Sequence, residues 1–302
     1  MVHPKSREAF VANKSQYLEQ IRLLAPDLIY QAAVLNDTGQ FNAVLTLDHS
    51  WIFRFPRYAE GVRQLEAETR LLLALQDRLP LPIPCPRYFC FDPPMPGRAC
   101  MGYPRLPGEP LLKPESIHGQ AARVEAAGQL AGFLRILHAI PPDSLGVELP
   151  PADRMEDWAN LYSEIREKLF PGMRPEARGQ VAGLFESYFG DAALQTFRPT
   201  LRHGDFGGSN LLYDRRLKRV SGVLDFSCCT LGDPAADLAS VSTCGEALFT
   251  LLSTLYEPDE QKRELLLARA CFYRGTFALA EALDGLQHHD RRAYESGMEK
   301  YR

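Results

Sequence analysis

The sequence predicts an α+β chain, with its strands in the first third and helices in most of the rest. Three observations carry that expectation. From Leu28 to Pro56, and again from Arg87 to Tyr103, the apolar residues fall in short runs split by turn residues. Beyond Gln120 they recur at helical spacing over long stretches. The two regimes are separated by Pro104-Arg105-Leu106-Pro107-Gly108-Glu109-Pro110, a segment that suits neither and reads as a hinge. The expected organisation is an N-terminal lobe over 1–103, a hinge over 104–110 and a C-terminal lobe over 111–302.

Taken in order, residues from about Ser6 to Ala25 place Phe10, Tyr17, Leu18, Ile21 and Leu24 at helical spacing, and Pro26 stops them. Three strand-like runs follow, Ile29 to Leu35, Ala43 to Leu47 and Trp51 to Phe55, with turns at 36–40 and 48–50 that make an antiparallel meander. The first turn, Asn36-Asp37-Thr38-Gly39-Gln40, has a single glycine, so as a loop over phosphates it is a weak signal and as a hairpin turn an ordinary one. In the third run Ile52, Arg54 and Pro56 share one face, opposite Trp51, Phe53 and Phe55. Arg54 there serves equally as a phosphate-binding cation in a cleft or a solvated charge on an open sheet.

A helix from Tyr58 to Leu79 repeats Val62, Leu65, Leu72 and Leu75 on one side and carries Glu68. The alternate prolines of Pro80 to Pro86 remove donors and enforce an extended bridge. Two more strand-like runs, Arg87 to Phe91 and Ala99 to Tyr103, lead to the hinge. After it, helices are expected over 120–139, 155–169, 176–189, 235–255, 259–283 and 291–301. His138, at the end of an apolar helix, reads as a structural or C-terminal capping residue.

Composition narrows the function classes. With 302 residues, 45% hydrophobic and 24% charged, the chain is ordinary for a globular protein. A net charge of −4 and the lack of a dense Lys/Arg patch argue against nucleic acid. The seven cysteines are odd in number and lack C-x-x-C spacing, so they read as thiols in a reducing compartment, with Cys228-Cys229 as core or loop thiols. Neither a signal-type apolar region nor an 18-residue apolar run is seen, and a cytoplasmic protein without membrane contact, reasonably a monomer, is expected.

The chemistry lies in LRHGDFGGSNLLYDRRLKRVSGVLDFSCCTLGDPAADL, from Leu201 to Leu238. Asp205 follows a short strand-like run and precedes two glycines, Asn210 comes five residues later, and Asp225 ends the second arm of a hairpin. Each taken alone is an ordinary turn residue. Together they are the parts that phosphoryl transfer needs: a carboxylate to take a hydroxyl proton, and an amide and a carboxylate whose oxygens suit Mg²⁺. Asp233 can cap the following helix with Pro234 at its first position, and Asp237 reads as a brace for the catalytic loop.

HGDFGGSNLL followed by GVLDFSCCTLGDPAADLA resembles the aminoglycoside phosphotransferase family of small-molecule kinases. FNAVLTLDHSWIFRFPR, the Glu68 helix, LPLPIPCP, MGYPRLPGEPL and the ending AYESGMEKYR are similar to the 2″-aminoglycoside phosphotransferase branch, so the resemblance covers most of the chain. It implies a bilobal protein-kinase-like fold, an N-terminal antiparallel sheet lobe plus a largely helical C-terminal lobe. It also implies Mg²⁺-dependent transfer from ATP or GTP to a hydroxyl of an aminoglycoside-type antibiotic. By position, Asp205 would be catalytic, Asn210 and Asp225 the Mg²⁺ ligands, and Glu68 the partner of the nucleotide-facing cation, Arg54. The backbone near Pro104 and Leu106 would hold the purine, with Thr38 and Gly39 over the phosphates.

Two departures stand out. Arg54 occupies a position where many kinases carry Lys, and its planar fork differs from a point charge. The helix after Asp237 reads SVSTCGEALFTLL, in which Glu246 is the only acid, whereas a polycationic acceptor calls for several; Glu281, Asp284, Asp290 and Glu295 are further candidates. A macrolide or another small hydroxylated metabolite therefore stays open as acceptor. So does a nucleotide-binding relative without transfer activity.

Overall fold

Strict alternation is what builds the N-terminal sheet. In the computed structural model, which describes residues 13–37, 41–113 and 116–302, β1 (Ala33–Asn36), β2 (Asn42–Leu47) and β3 (Trp51–Pro56) form the meander. β4 (Tyr88–Cys90) and β5 (Cys100–Pro104) complete an antiparallel sheet of five strands in the order β1-β2-β3-β5-β4. Every second residue of β2 is buried, so Ala43, Leu45 and Leu47 enter the core with Phe53 and Phe55 of β3. Tyr17 and Ile21 of α1 (Lys14–Leu24) close that core, with the Tyr17 and Phe55 rings 4.4 Å apart.

Local chemistry trims several expected elements. α1 follows Asn13, whose side chain accepts the Gln16 N–H in a capping box, and the helical stretch expected over 6–12 lies outside the described residues. β1 begins at Ala33 rather than Ile29 because the Gln31 and Ala32 N–H groups donate to the Asp48 carboxylate, at 2.9 and 2.6 Å. α2 (Ala59–Leu75) stops four residues short of Leu79, where Arg78 N–H turns back to the Leu75 carbonyl. The proline bridge still contributes a partner, since Pro82 O accepts the Val223 N–H.

The described chain divides into two compact units. The first runs through Glu109 and takes in 143–147 and 211–228; the second comprises 110–142, 148–210 and 229–302. The hairpin of β8 (Leu211–Asp214) and β9 (Arg219–Val223) thus packs with the first unit, whereas the sequence alone groups it with 111–302. Asp214 organises its turn, accepting the Arg216 and Leu217 N–H groups. The chain leaves the first unit through a two-residue strand, β6 (Glu109–Pro110).

The second unit is mostly helical: α3 (Gln120–Ala139), α4 (Met155–Glu164), α5 (Pro175–Gly190), α6 (Ala192–Gln195), α7 (Ala235–Val241), α8 (Glu246–Tyr256), α9 (Glu260–Gln287) and α10 (Arg291–Met298). Its strands β7 (Thr200–Arg202) and β10 (Thr230–Gly232) pair antiparallel. An aromatic core joins α4, α5 and α9, in which the Tyr188 and Phe272 rings stack at 3.8 Å beside Trp158 and Phe185. The single helix expected over 235–255 is two: the chain passes through a 3-10 turn at Ser242–Cys244, and Gly245 at φ 105° redirects it into α8. The α+β expectation is met, with an antiparallel sheet early and helices thereafter. Among the described residues no helix is long and apolar enough to cross a membrane.

Candidate active site

The residues expected to act fall into two groups, one in each unit. In the second unit, β7 delivers the chain to His203-Gly204-Asp205, and α7 supplies the residue that holds this loop. Asp237, fully buried, accepts the His203 N–H on Oδ2 at 2.7 Å and the Gly204 N–H on Oδ1 at 2.8 Å. His138 of α3 contacts the same Oδ2 through Nε2 at 3.0 Å. Burial pushes the Asp237 carboxyl up, but the His138 hydrogen bond and charge, the His203 charge and the Gly204 N–H outweigh it and hold the group below the usual carboxylate range.

Asp205 is exposed at the tip of this braced loop. Asn210, nine-tenths buried, donates from Nδ2 to the Asp205 backbone oxygen at 2.9 Å and to Oδ2 at 2.7 Å. The amide nitrogen is thereby spent, and the carbonyl oxygen is the atom with which Asn210 can hold a cation. Phe206 anchors the loop from below, stacked 5.5 Å from Phe133 of α3. Gly208 is required by close approach: a Cβ there would run into the Leu111 carbonyl oxygen.

A cavity of about 390 Å³ opens beside Asp205 within the same unit. Ser209, Ser240, Thr243, Leu112 and Phe277 line it with the loop glycines, so Asp205 is its one charged wall among the described residues. Ser240 and Thr243 are already engaged, the first donating to Ala236 O and the second donating to Ser240 O and accepting the Gly208 N–H. Glu246 does not line this cavity. It faces a smaller one of about 150 Å³ with Lys113 and Arg123, and it is paired with Arg274. Glu281 is exposed on α9 and lines neither.

In the first unit, Arg54 of β3 donates to Glu68 Oε1 of α2 at 2.7 Å, and the same oxygen accepts the Phe226 N–H at 3.2 Å. Asp225 follows, in the left-handed region at φ 58°, which Asp tolerates better than most residues. Its Oδ1 accepts from the Ser227 hydroxyl at 2.7 Å and lies 3.9 Å from Arg54 Nη2, with the side chain 43% exposed. Arg54 is therefore a paired cation between two carboxylates, and not a solvated charge. Burial opposes its charge, yet Glu68, Tyr103 and Asp225 more than restore it, and its pKa is raised. Burial also pushes Glu68 above the usual carboxylate range against the pull of Arg54, and takes Tyr103 to about 12.

Pro104 ends β5 opposite Trp51, and Leu106 lies over Gly222 of β9, three residues before Asp225. Thr38 and Gly39 lie outside the described residues. Sequence reasoning missed a second buried cluster. Asp233 accepts from Arg269 Nε at 2.6 Å and from the Tyr273 hydroxyl at 3.0 Å on Oδ2, besides capping α7 through the Ala235 N–H. Asp153 accepts the Asp233 N–H and pairs with Arg202, and burial, only partly offset by Arg202, pushes its carboxyl up to about 6. Arg269 and Tyr273 stand four apart on one face of α9, a polar pair on a buried stripe that could have been found. No sequence pattern marks Asp153.

A carboxylate on a braced loop, clamped by an amide five residues on, suits phosphoryl transfer, and known proteins point to the same class. The family model described as "Phosphotransferase enzyme family" matches residues 36–270, and the chain belongs to that family. Viomycin phosphotransferase of Streptomyces vinaceus is 32% identical over 207 residues, 66% of this chain and 68% of that protein. Among solved structures, the GDP and kanamycin complex of an APH(2″)-III enzyme superposes with a TM-score of 0.85 at 23% identity, covering 95% of this chain and 97% of that one. Macrolide 2′-phosphotransferase type I does so with a TM-score of 0.73 at 21% identity, covering 97% and 98%.

Proposed function

We propose that this phosphotransferase moves the terminal phosphoryl group of ATP or GTP onto a hydroxyl of an aminoglycoside-type antibiotic. The observation that carries the reading is the fixed Asp205 carboxylate, clamped by Asn210 at the mouth of a cavity sized for part of a small molecule. The relatives supply the class of acceptor: one is named for viomycin, and another was solved with GDP and kanamycin.

In this reading Asp205 orients the acceptor hydroxyl and takes its proton as the oxygen bonds to phosphorus and the bond to the leaving nucleoside diphosphate breaks. Arg54, held by Glu68, presents its guanidinium to the phosphates, and the backbone around Pro104 and Leu106 receives the purine. Thr38 and Gly39 are assigned to the phosphates by position. The donor set fits Mg²⁺: the Asn210 carbonyl oxygen and the half-exposed Asp225 carboxylate are hard oxygen ligands. Asn210 and Asp225 would hold the ion, and Lewis-acid neutralisation of phosphate charge is what it would supply. We place the enzyme in the cytoplasm, as a monomer with an N-terminal nucleotide lobe, a hinge and a C-terminal acceptor lobe.

A second acceptor class, a macrolide or another hydroxylated metabolite, is favoured by one observation. Among the described residues the cavity beside Asp205 has no carboxylate besides Asp205 itself, and Glu246 is paired with Arg274. Turnover with Mg²⁺ and ATP or GTP against kanamycin, viomycin, a macrolide and simple amino alcohols tests the whole reading. Acceptor-stimulated release of nucleoside diphosphate, with one phosphate on the acceptor detected by mass spectrometry, is expected. Nucleotide binding with no transfer to any of them would instead support a relative that lacks transfer activity.

A further inference from the structure

Asp237 is braced from behind. His138 ends the apolar face of α3, buried, and both of its ring nitrogens are engaged: Nε2 with Asp237 Oδ2 at 3.0 Å and Nδ1 with the Tyr256 hydroxyl at 2.8 Å. Tyr256 is the last residue of α8, and its ring stands edge-on to the imidazole at 5.6 Å. A continuous hydrogen-bonded path therefore runs from Tyr256 to His138, to Asp237, to the backbone N–H groups of His203 and Gly204, and so to Asp205. His203 adds a return contact, accepting the Asp205 N–H on Nδ1 at 3.3 Å.

We propose that His138 and Tyr256 are positioning residues for phosphoryl transfer, fixing Asp205 through Asp237 without touching either substrate. The proposal rests on Asp205 being the catalytic base. A fully buried carboxylate keeps its charge and its rotamer only while its hydrogen bonds are complete. His138 supplies one of the three bonds given above, on the oxygen that also receives His203 N–H. Without it, Asp237 is free to take a proton or turn, and either change releases the backbone immediately before Asp205. Tyr256 acts one step further out, by fixing the plane and the tautomer of the imidazole. α3 thus grips the loop twice, through Phe133 under Phe206 and through His138.

The test compares His138→Leu, His138→Gln and Tyr256→Phe with the parent and with Asp205→Asn, using MgATP or MgGTP and whichever acceptor of the panel supports turnover. Glutamine places an amide N–H close to where Nε2 stands, whereas leucine fills the volume without a donor. Expected are a kcat at least tenfold lower in His138→Leu with both KM values within about twofold, recovery of most of that loss in His138→Gln, and a smaller fall in Tyr256→Phe. Amide hydrogen exchange over 202–205 should quicken in His138→Leu and return towards the parent rate in His138→Gln. Unchanged kcat in His138→Leu, or a loss that glutamine does not recover, overturns the proposal. Where the leucine variant does not accumulate folded, Tyr256→Phe, which removes one oxygen and keeps the ring, carries the same test by kcat and exchange. Full activity in Asp205→Asn would instead overturn the reading of the base, separately from this one.

Discussion

Asn210 holds Asp205 at two atoms, its amide nitrogen lying 2.9 Å from the backbone oxygen and 2.7 Å from the carboxylate. One side chain thus fixes both where the loop sits and which way its carboxylate points. Replacing it by alanine leaves Asp205 present but free to rotate, and an ångström of misplacement costs about 100-fold in rate. Asn210→Ala should therefore lose at least that much kcat while the fold persists. Steady-state kinetics beside a thermal melt check this; a melt unchanged with kcat unchanged would release Asn210 from the role.

Glu68 is buried against Arg54, so removing its charge leaves the guanidinium with the longer contact to Asp225. Breaking a buried ion pair from one side costs about 3–5 kcal/mol. Glu68→Gln should lower stability towards that range and raise the nucleotide KM, because the guanidinium then leans on Asp225, 3.9 Å away. Urea denaturation and nucleotide titration measure the two effects. Arg54→Lys keeps the charge but loses the fork, and should raise nucleotide KM with a smaller loss of stability.

Stability should carry a signature of Asp153. Its carboxyl, raised by burial to about 6 from an ordinary 3.8, binds a proton in the folded chain before it does in the unfolded one. Its ionisation therefore costs stability at neutral pH, and the cost is relieved as pH falls from about 7 through 6 towards 4, by roughly 3 kcal/mol at 1.36 kcal/mol per unit. Asp153→Asn, which still accepts the Asp233 N–H, should flatten that part of the profile. Denaturation midpoints of both proteins between pH 4 and 7 test it; parallel profiles would contradict it.

How much could be read beforehand depends on how local each signal is. The alternation of Trp51 to Pro56 places Phe53 and Phe55 in the core and Arg54 on the other side, and the 120–139 helix is observed residue for residue. Asp205, Asn210 and Asp237 were legible because one short segment carries all three. Boundaries set by distant partners were not: β1 starts late because Asp48 captures Gln31 and Ala32, and one positive-φ glycine splits a helix whose apolar period runs on. Buried polar clusters were the least legible. Asp233 looks like a helix cap in sequence, and only folding brings Arg269 and Tyr273 of α9 onto its other oxygen. In sequence His138 reads as structural, and its partners, 99 and 118 residues away, have no local trace. Glu246 stands out in sequence as a lone acid, and its partner Arg274, 28 residues away on another helix, leaves no local trace.

The most direct test of the central claim is turnover by Asp205→Asn, measured with Mg²⁺ and ATP or GTP on the acceptor that the parent enzyme phosphorylates. Asparagine keeps the size and the hydrogen-bonding reach but cannot take the hydroxyl proton. A loss of about 10²–10⁴-fold in kcat, with nucleotide affinity retained and the melt unchanged, is predicted. Parent-level kcat in the asparagine variant would contradict the account.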